Sequence, residues 1–199
     1  MYDKNTNIAA LISSRICHDL ASPLGAIGNG LELLELSGIS QTPEMALLNE
    51  SIEAANARIQ FFRISFGATA EGAMLSPEVI GRVLTDYYAD KRVNVRWEHL
   101  LSVPRSTGKL LLLLVQCAET ALPYGGEIRV YQKGDLWFLE GKGRLNMTSQ
   151  VWQIFTGNSL NEPLQSSEVQ FELATELARQ SALRIHVNKT DETLQISLG

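Results

Sequence analysis

Hydrophobic positions recur in steps of three and four along the first third of the chain. Ile12, Ile16, Leu20, Leu24, Ile27, Leu31 and Leu34 form one series, the spacing that gathers side chains on one face of an α-helix. Gly38 follows the last of them and supplies a helix stop. "QTPEM" then restarts the pattern, with Thr42 placed to be an N-cap and Pro43 the first helical residue. Met45, Leu48, Ile52, Ala55, Ile59, Phe62 and Phe66 continue it. Two long helices with a short turn make a hairpin. A hairpin covers both of its own stripes poorly, so the pattern predicts dimerisation into a four-helix bundle or packing on the rest of the chain.

From Gly67 to Pro77 the chain is small and polar, "GATAEGAMLSP", and reads as a boundary. Beyond it the periods change. Ser76 and Pro77 open a helix through about Tyr88, and "RVNVRWEH" alternates as a strand does. "STGKLLLLLVQCAETALPYGG" predicts a buried helix ending before Gly125. "GEIRVYQKGDLWFLEGKG" reads as two strands joined at Lys133 and Gly134. "SSEVQFELATELARQSA" is a further helix, and "LRIHVNKTDETLQISL" a strand hairpin turning near Thr190 and Asp191. That order describes α+β architecture, helices layered on a mixed sheet.

Composition narrows the function classes. The 199 residues are 45% hydrophobic and 20% charged, with a net charge of -5 and no basic run. Nucleic acid is therefore not expected as a partner, since phosphate backbones require clustered Lys and Arg. The opening "MYDKNTNIAALISS" lacks the basic region and long apolar core of a signal peptide. The longest apolar run, Leu110 to Val115, is too short to cross a bilayer, so no membrane is expected as a partner. Two isolated cysteines, Cys17 and Cys117, fit a reducing cytoplasm. With no CxxC or HxxxH spacing, no metal site is expected in the chain.

Chemistry concentrates at "CHDLASPLGAIGNGLELL". At about 100° per residue, His18 lies opposite the Ile12–Leu34 series. Ser14, Ser22, Gly25 and Asn29 share its side, so that face is open and built of small residues, with Leu11 exposed beside it. Pro23 has no amide to donate to the Asp19 carbonyl and crowds that turn, which predicts a local kink. A proline inside a helix costs roughly 3 kcal/mol, and broken local rules gather at functional sites. Neutral imidazole is a competent phosphoryl acceptor near neutrality, and Asp19 is placed to hold its other ring nitrogen. The spacing leaves two readings for His18: a solvated helical residue, or a nucleophile. Cys17 is expected to face sideways from the core as a packing residue. His99 and His186 are expected in structural or surface roles, and Trp97, Trp137 and Trp152 in a core or interface.

His18, Asp19, Leu20, Pro23 and Leu24 resemble, residue by residue, the H-box of two-component sensor histidine kinases, where His-Asp/Glu-Leu precedes Pro-Leu. The two helices are similar to the kinase dimerisation and phosphoacceptor hairpin. The remainder is similar to the kinase ATP-binding domain in its order of elements. Three ATP-binding features of that domain are altered. Cys117 stands where the kinases carry an Asn that coordinates magnesium and phosphates. "EGKGR" keeps Gly141 and Gly143 but offers Glu140 and Lys142 around them in place of Asp-x-Gly-x-Gly. The stretch opening the last helix has no glycine from Ser159 to Arg179, and Gln170, Phe171 and Glu172 are too bulky for backbone amides to cradle phosphate.

A phosphoacceptor hairpin with a degenerate ATPase-like domain resembles the ChpT-type histidine phosphotransferases, as do "AETALPYGGEIRV" and "LEGKGR". The resemblance implies an α+β chain. Residues 1–68 would form a hairpin in a dimeric four-helix bundle, and residues 76–199 an α/β sandwich resembling a degenerate histidine kinase ATP-binding domain. It implies a homodimeric, cytoplasmic phosphotransferase that uses no ATP and carries no cofactor of its own. His18 would accept a phosphoryl group from the receiver domain of a hybrid histidine kinase and pass it to response-regulator receiver domains controlling transcription and the cell cycle. The Mg²⁺ would come with the receiver. Asp19 would orient or deprotonate His18. Arg15 would stabilise phosphate charge or stand as a solvated residue, and Ser22, Gly25 and Asn29 would form docking surface. The competing classes are an active ATP-dependent histidine kinase and a non-catalytic dimeric adaptor.

Overall fold

The computed structural model describes residues 4–38, 42–158 and 160–199. The chain divides into a unit that ends at Ala68 and a second unit, Thr69–Gly199.

The first unit is the helical hairpin. Helix α1 spans Lys4–Leu36 and continues through Pro23. Helix α2 spans Pro43–Ser65, and the Thr42 hydroxyl accepts from the Met45 amide at its start, as the Thr-Pro pair predicts. Residues 39–41 of the expected turn lie outside the described residues. The face of α1 turned to α2 differs from the one the periodicity singled out. Cys17 and Leu31 are buried, Ala21, Leu24 and Gly28 half-buried, and Gly28 abuts Ile52. Asn49 donates to Glu35 across the pair at 2.8 Å. This face lies about 80° round the helix from the centre of the Ile12–Leu34 series, and the two share only Leu24 and Leu31. Ile12, Ile16, Leu20, Ile27 and Leu34 therefore keep 40% to 54% of their surface exposed. Small residues at Ala21 and Gly28 let the helix backbones approach on their face, and the larger aliphatic face is left outside. Cys17 thus belongs to the hairpin core rather than facing sideways. Along α2, Ile52 and Ile59 are buried, Met45, Ala55, Phe62 and Phe66 half-buried, and Leu48 stays 49% exposed.

In the second unit, the five-stranded sheet has the order β2 (Val93–Trp97), β4 (Gly126–Lys133), β5 (Leu136–Lys142), β7 (Thr193–Leu198), β6 (Ile185–Lys189). Strands β2 and β4 run parallel and the other neighbours antiparallel. Three helices cover one face: α3 (Pro77–Tyr88) against β2, α4 (Arg105–Thr120) against β4, β5 and β7, and α5 (Val169–Gln180) against α4. The run Leu110–Val115 is fully buried because α4 meets the sheet on one side and α5 on another. From the sheet, Ile128, Val130, Leu139, Leu194, Ile196 and Leu198 alternate into this core. Helix α4 ends at Thr120, before Gly125 as expected, because Pro123 bars continuation of the helix.

Two short features went unread in the sequence. Met74–Leu75 (β1) pairs antiparallel with Val103–Pro104 (β3). Gln150–Thr156 forms a 3-10 helix opened by Ser149, whose hydroxyl accepts from the Val151 amide, and closed by Gly157 at φ 75°.

Candidate functional site

His18 stands at the middle of α1 with 83% of its side chain exposed. Its Nδ1 lies 3.1 Å from Oδ1 of Asp19. The other oxygen of that carboxylate, Oδ2, accepts from Nε of Arg15 at 2.6 Å. Arg15 and His18 together hold the Asp19 carboxyl below its ordinary range, the Arg15 hydrogen bond being the larger cause. Asp19 is therefore an anion at neutral pH, and a carboxylate can only accept. The hydrogen bond thus requires the proton on Nδ1, which puts the lone pair of a neutral ring on Nε2. That nitrogen meets solvent, so the arrangement presents a nucleophile to anything docking on this face.

Of the residues expected around it, Ser22 and Asn29 are exposed. Gly25 is half-buried, and a Cβ there would meet nothing within 4 Å, so this surface is shallow as expected. Arg15 is exposed but engaged with Asp19. Ser14 departs from expectation: it is half-buried, and its hydroxyl accepts from the Ala68 amide at 2.9 Å, which removes it from the open face.

The second unit carries Cys117, the "EGKGR" stretch and the opening of α5, which the sequence singled out. Cys117 is fully buried, and its thiol is pushed well up by that burial. It sits in an apolar cluster with Val151, Ile154 and Phe171, onto which Trp152, Phe155, Leu160 and Leu164 pack. The Phe171 ring meets Trp152 edge-on at 4.9 Å and Phe155 at 5.4 Å. The 3-10 helix supplies four of these neighbours and the first turn of α5 supplies Phe171. The approach to α5 is capped by the chain itself. Ser166–Glu168 forms a 3-10 turn in which one Glu168 oxygen accepts from the Gln165 amide at 3.2 Å and the other from the Ser149 hydroxyl at 3.3 Å. Gln170 is buried, its amide donating to the Ser167 carbonyl, whereas Glu172 is exposed. The two glycines of "EGKGR" have different roles. At Gly143 (φ 155°) a Cβ would come 2.8 Å from the Gly125 carbonyl oxygen, so glycine is required where two backbones cross. At Gly141 a Cβ would make only ordinary contacts.

A model of the histidine phosphotransferase C-terminal domain matches residues 77–193. The protein phosphotransferase ChpT of Brucella abortus (strain 2308) is 34% identical over 198 residues, covering 96% of this chain and 94% of that protein. The chain belongs to the histidine phosphotransferase family. A solved bacterial phosphotransferase has the same fold, with a TM-score of 0.74 at 32% identity, over 100% of this chain and 98% of that one. The Acinetobacter baumannii histidine kinase AdeS is more distant, at 10% identity and a TM-score of 0.47 over 91% of this chain. In this phosphotransferase the family model falls within the second unit, while the full-length likenesses also span the hairpin that carries His18.

Sequence reasoning placed the phosphotransferase's His18 and Asp19 side by side but missed two arrangements. The cluster over Cys117 joins segments far apart in sequence, which periodicity does not report. The Glu168 cap was readable, because Gln165 and Glu168 have the spacing of a capping box. None of the described helices is long and apolar enough to cross a membrane. His99 is half-buried against Trp137, its ring 4.7 Å away, while His186 lies exposed on β6.

Proposed function

We propose that this phosphotransferase is a phosphorelay intermediate working through His18. It takes a phosphoryl group from an aspartyl phosphate on the receiver domain of a hybrid histidine kinase and delivers it to response-regulator receivers. The observation that carries this reading is the exposed Nε2 of His18 with Asp19 held against Nδ1. Nε2 attacks phosphorus in line. An N–P bond forms as the P–O bond to the receiver breaks, and the receiver's aspartate leaves as a carboxylate. The phosphorylated ring keeps its Nδ1 proton and is cationic, and the Asp19 carboxylate stabilises that charge. In the return step an aspartate of a second receiver attacks phosphorus, and the N–P electron pair goes back to Nε2. Such transfers depend mainly on positioning and charge neutralisation. We assign the Mg²⁺ to the receiver. Ser22, Gly25 and Asn29 offer the shallow surface on which a receiver helix would lie.

The ATP-independent part of this reading is supported by the apolar packing over Cys117 and by Glu168. A nucleotide phosphate brought there would displace aromatic contacts and meet a carboxylate. The homodimer is supported by the uncovered aliphatic face of α1, which a second copy would bury in a four-helix bundle on the side away from His18. The reading places the protein in the cytoplasm.

The test mixes the protein with a receiver domain phosphorylated on its aspartate. Acid-labile, base-stable phosphate is expected on wild type and absent from His18→Gln. Equal labelling of the two proteins sinks the relay, and saturable binding of a fluorescent ATP analogue with Mg²⁺ sinks its ATP-independent part.

A further inference from the structure

Arg15 and His18 approach the same carboxylate from opposite ends. Arg15 Nε holds Oδ2 of Asp19 at 2.6 Å, which leaves Oδ1 facing His18 Nδ1 at 3.1 Å. We propose that Arg15 is a positioning residue for phosphoryl transfer: by holding Oδ2 it turns Oδ1 to His18 and fixes the tautomer that leaves the Nε2 lone pair free. The proposal rests on the relay reading above and gives Arg15 a role other than contact with the phosphoryl group or the receiver.

Three physical points favour it. First, Asp has one short stem and two rotatable bonds, and an exposed Asp with a single weak partner samples several rotamers. A second, charged partner at the other oxygen selects one of them. Second, the pair contributes little to the fold. Both members are substantially exposed, and exposed ion pairs of this kind add little to stability. The basic residue also precedes the acid at i,i+4, the weaker order on a helix. A structural role therefore accounts poorly for its geometry. Third, Arg15 is the main cause holding the Asp19 carboxyl down, so it also keeps Asp19 in the only form that accepts from Nδ1 over a wider pH range.

The experiment has two readouts. Nitrogen NMR of the unphosphorylated protein reports the His18 tautomer without any transfer. The Nδ1-protonated form is expected to dominate in wild type and to lose that dominance in Arg15→Gln. Transfer from a phosphorylated receiver is then timed in a double-mutant cycle. Arg15→Gln is expected to slow the chemical step about tenfold at unchanged receiver KM, and Arg15→Lys to recover part of the rate. In an Asp19→Asn background the Arg15 substitution is expected to have no further effect. An unchanged tautomer, a change in KM alone, or an equal slowing in the Asp19→Asn background each overturns the proposal. Failure of the relay itself is read separately, from His18→Gln retaining label.

Discussion

One carboxylate in this chain serves two neighbours, and the fit depends on which oxygen each one takes. Asp19 divides its oxygens between Arg15 and His18, so the chemistry at Nε2 is decided on the far side of the ring. The residue pair was legible: adjacency of His18 and Asp19, and the four-residue step from Arg15, put all three on one stretch of helix. Side-chain rotamers assigned the oxygens, and no spacing rule reports those. Lys109 is a second residue whose state follows from its surroundings. It lies among the buried leucines of α4 with 8% of its surface exposed, and burial pushes its ammonium down to about 8. Between that value and the ordinary one near 10.5 the unfolded chain holds a proton that the folded chain has released. Stability from this group therefore rises with pH across that window. From about pH 7 to about pH 9.5 the gain is on the order of 2 kcal/mol. Urea unfolding of wild type and Lys109→Met at both pH values checks this, with the rise expected in wild type relative to the variant.

Among the elements, α1 shows most clearly what periodicity reports and what it does not. Two apolar faces overlap on it, one rich in large aliphatics and one built of Cys17, Ala21, Leu24, Gly28 and Leu31. The spacing rule selected the larger residues. Close approach of two helix backbones selected the smaller ones, since Gly28 lets Ile52 come in against the chain. Among the strands, alternation was enough to find β2, β4, β5, β6 and β7, because more and less exposed positions alternate along them, even on the edge strand β6, where no position is fully buried. The 3-10 helix at Gln150–Thr156 is too short to carry a period, and only Ser149 and Gly157 at its ends mark it. Phe171 joins that helix to α5. Its ring is fully buried against Trp152 and Phe155, so Phe171→Ala is expected to destabilise the protein by about 3–5 kcal/mol. Denaturant midpoints at an unchanged slope would measure it, and a loss under about 1 kcal/mol would mean that the cluster collapses onto the gap.

At the scale of the whole molecule, the uncovered face of α1 bears on assembly. Ile12, Ile16, Leu20, Ile27 and Leu34 form a continuous aliphatic strip of the kind that a second hairpin buries. Replacing Ile16 and Leu20 together by Glu is expected to turn a dimer into a monomer in light scattering, because two charges would then lie in each half of the buried seam. A wild type that scatters as a monomer removes the bundle. The order of the longer helices and strands, the α+β class and the adjacency of His18 and Asp19 were determined by the sequence alone. Each rests on a local period or on neighbours in the chain, and local geometry carries those forward unchanged. The tertiary structure alone decided which face of α1 meets α2. It also decided that Cys117, Trp152 and Phe171 meet in one cluster. Those outcomes depend on which surfaces fit one another across long separations in the chain, and a repeat along one helix is the same whichever way that helix is turned.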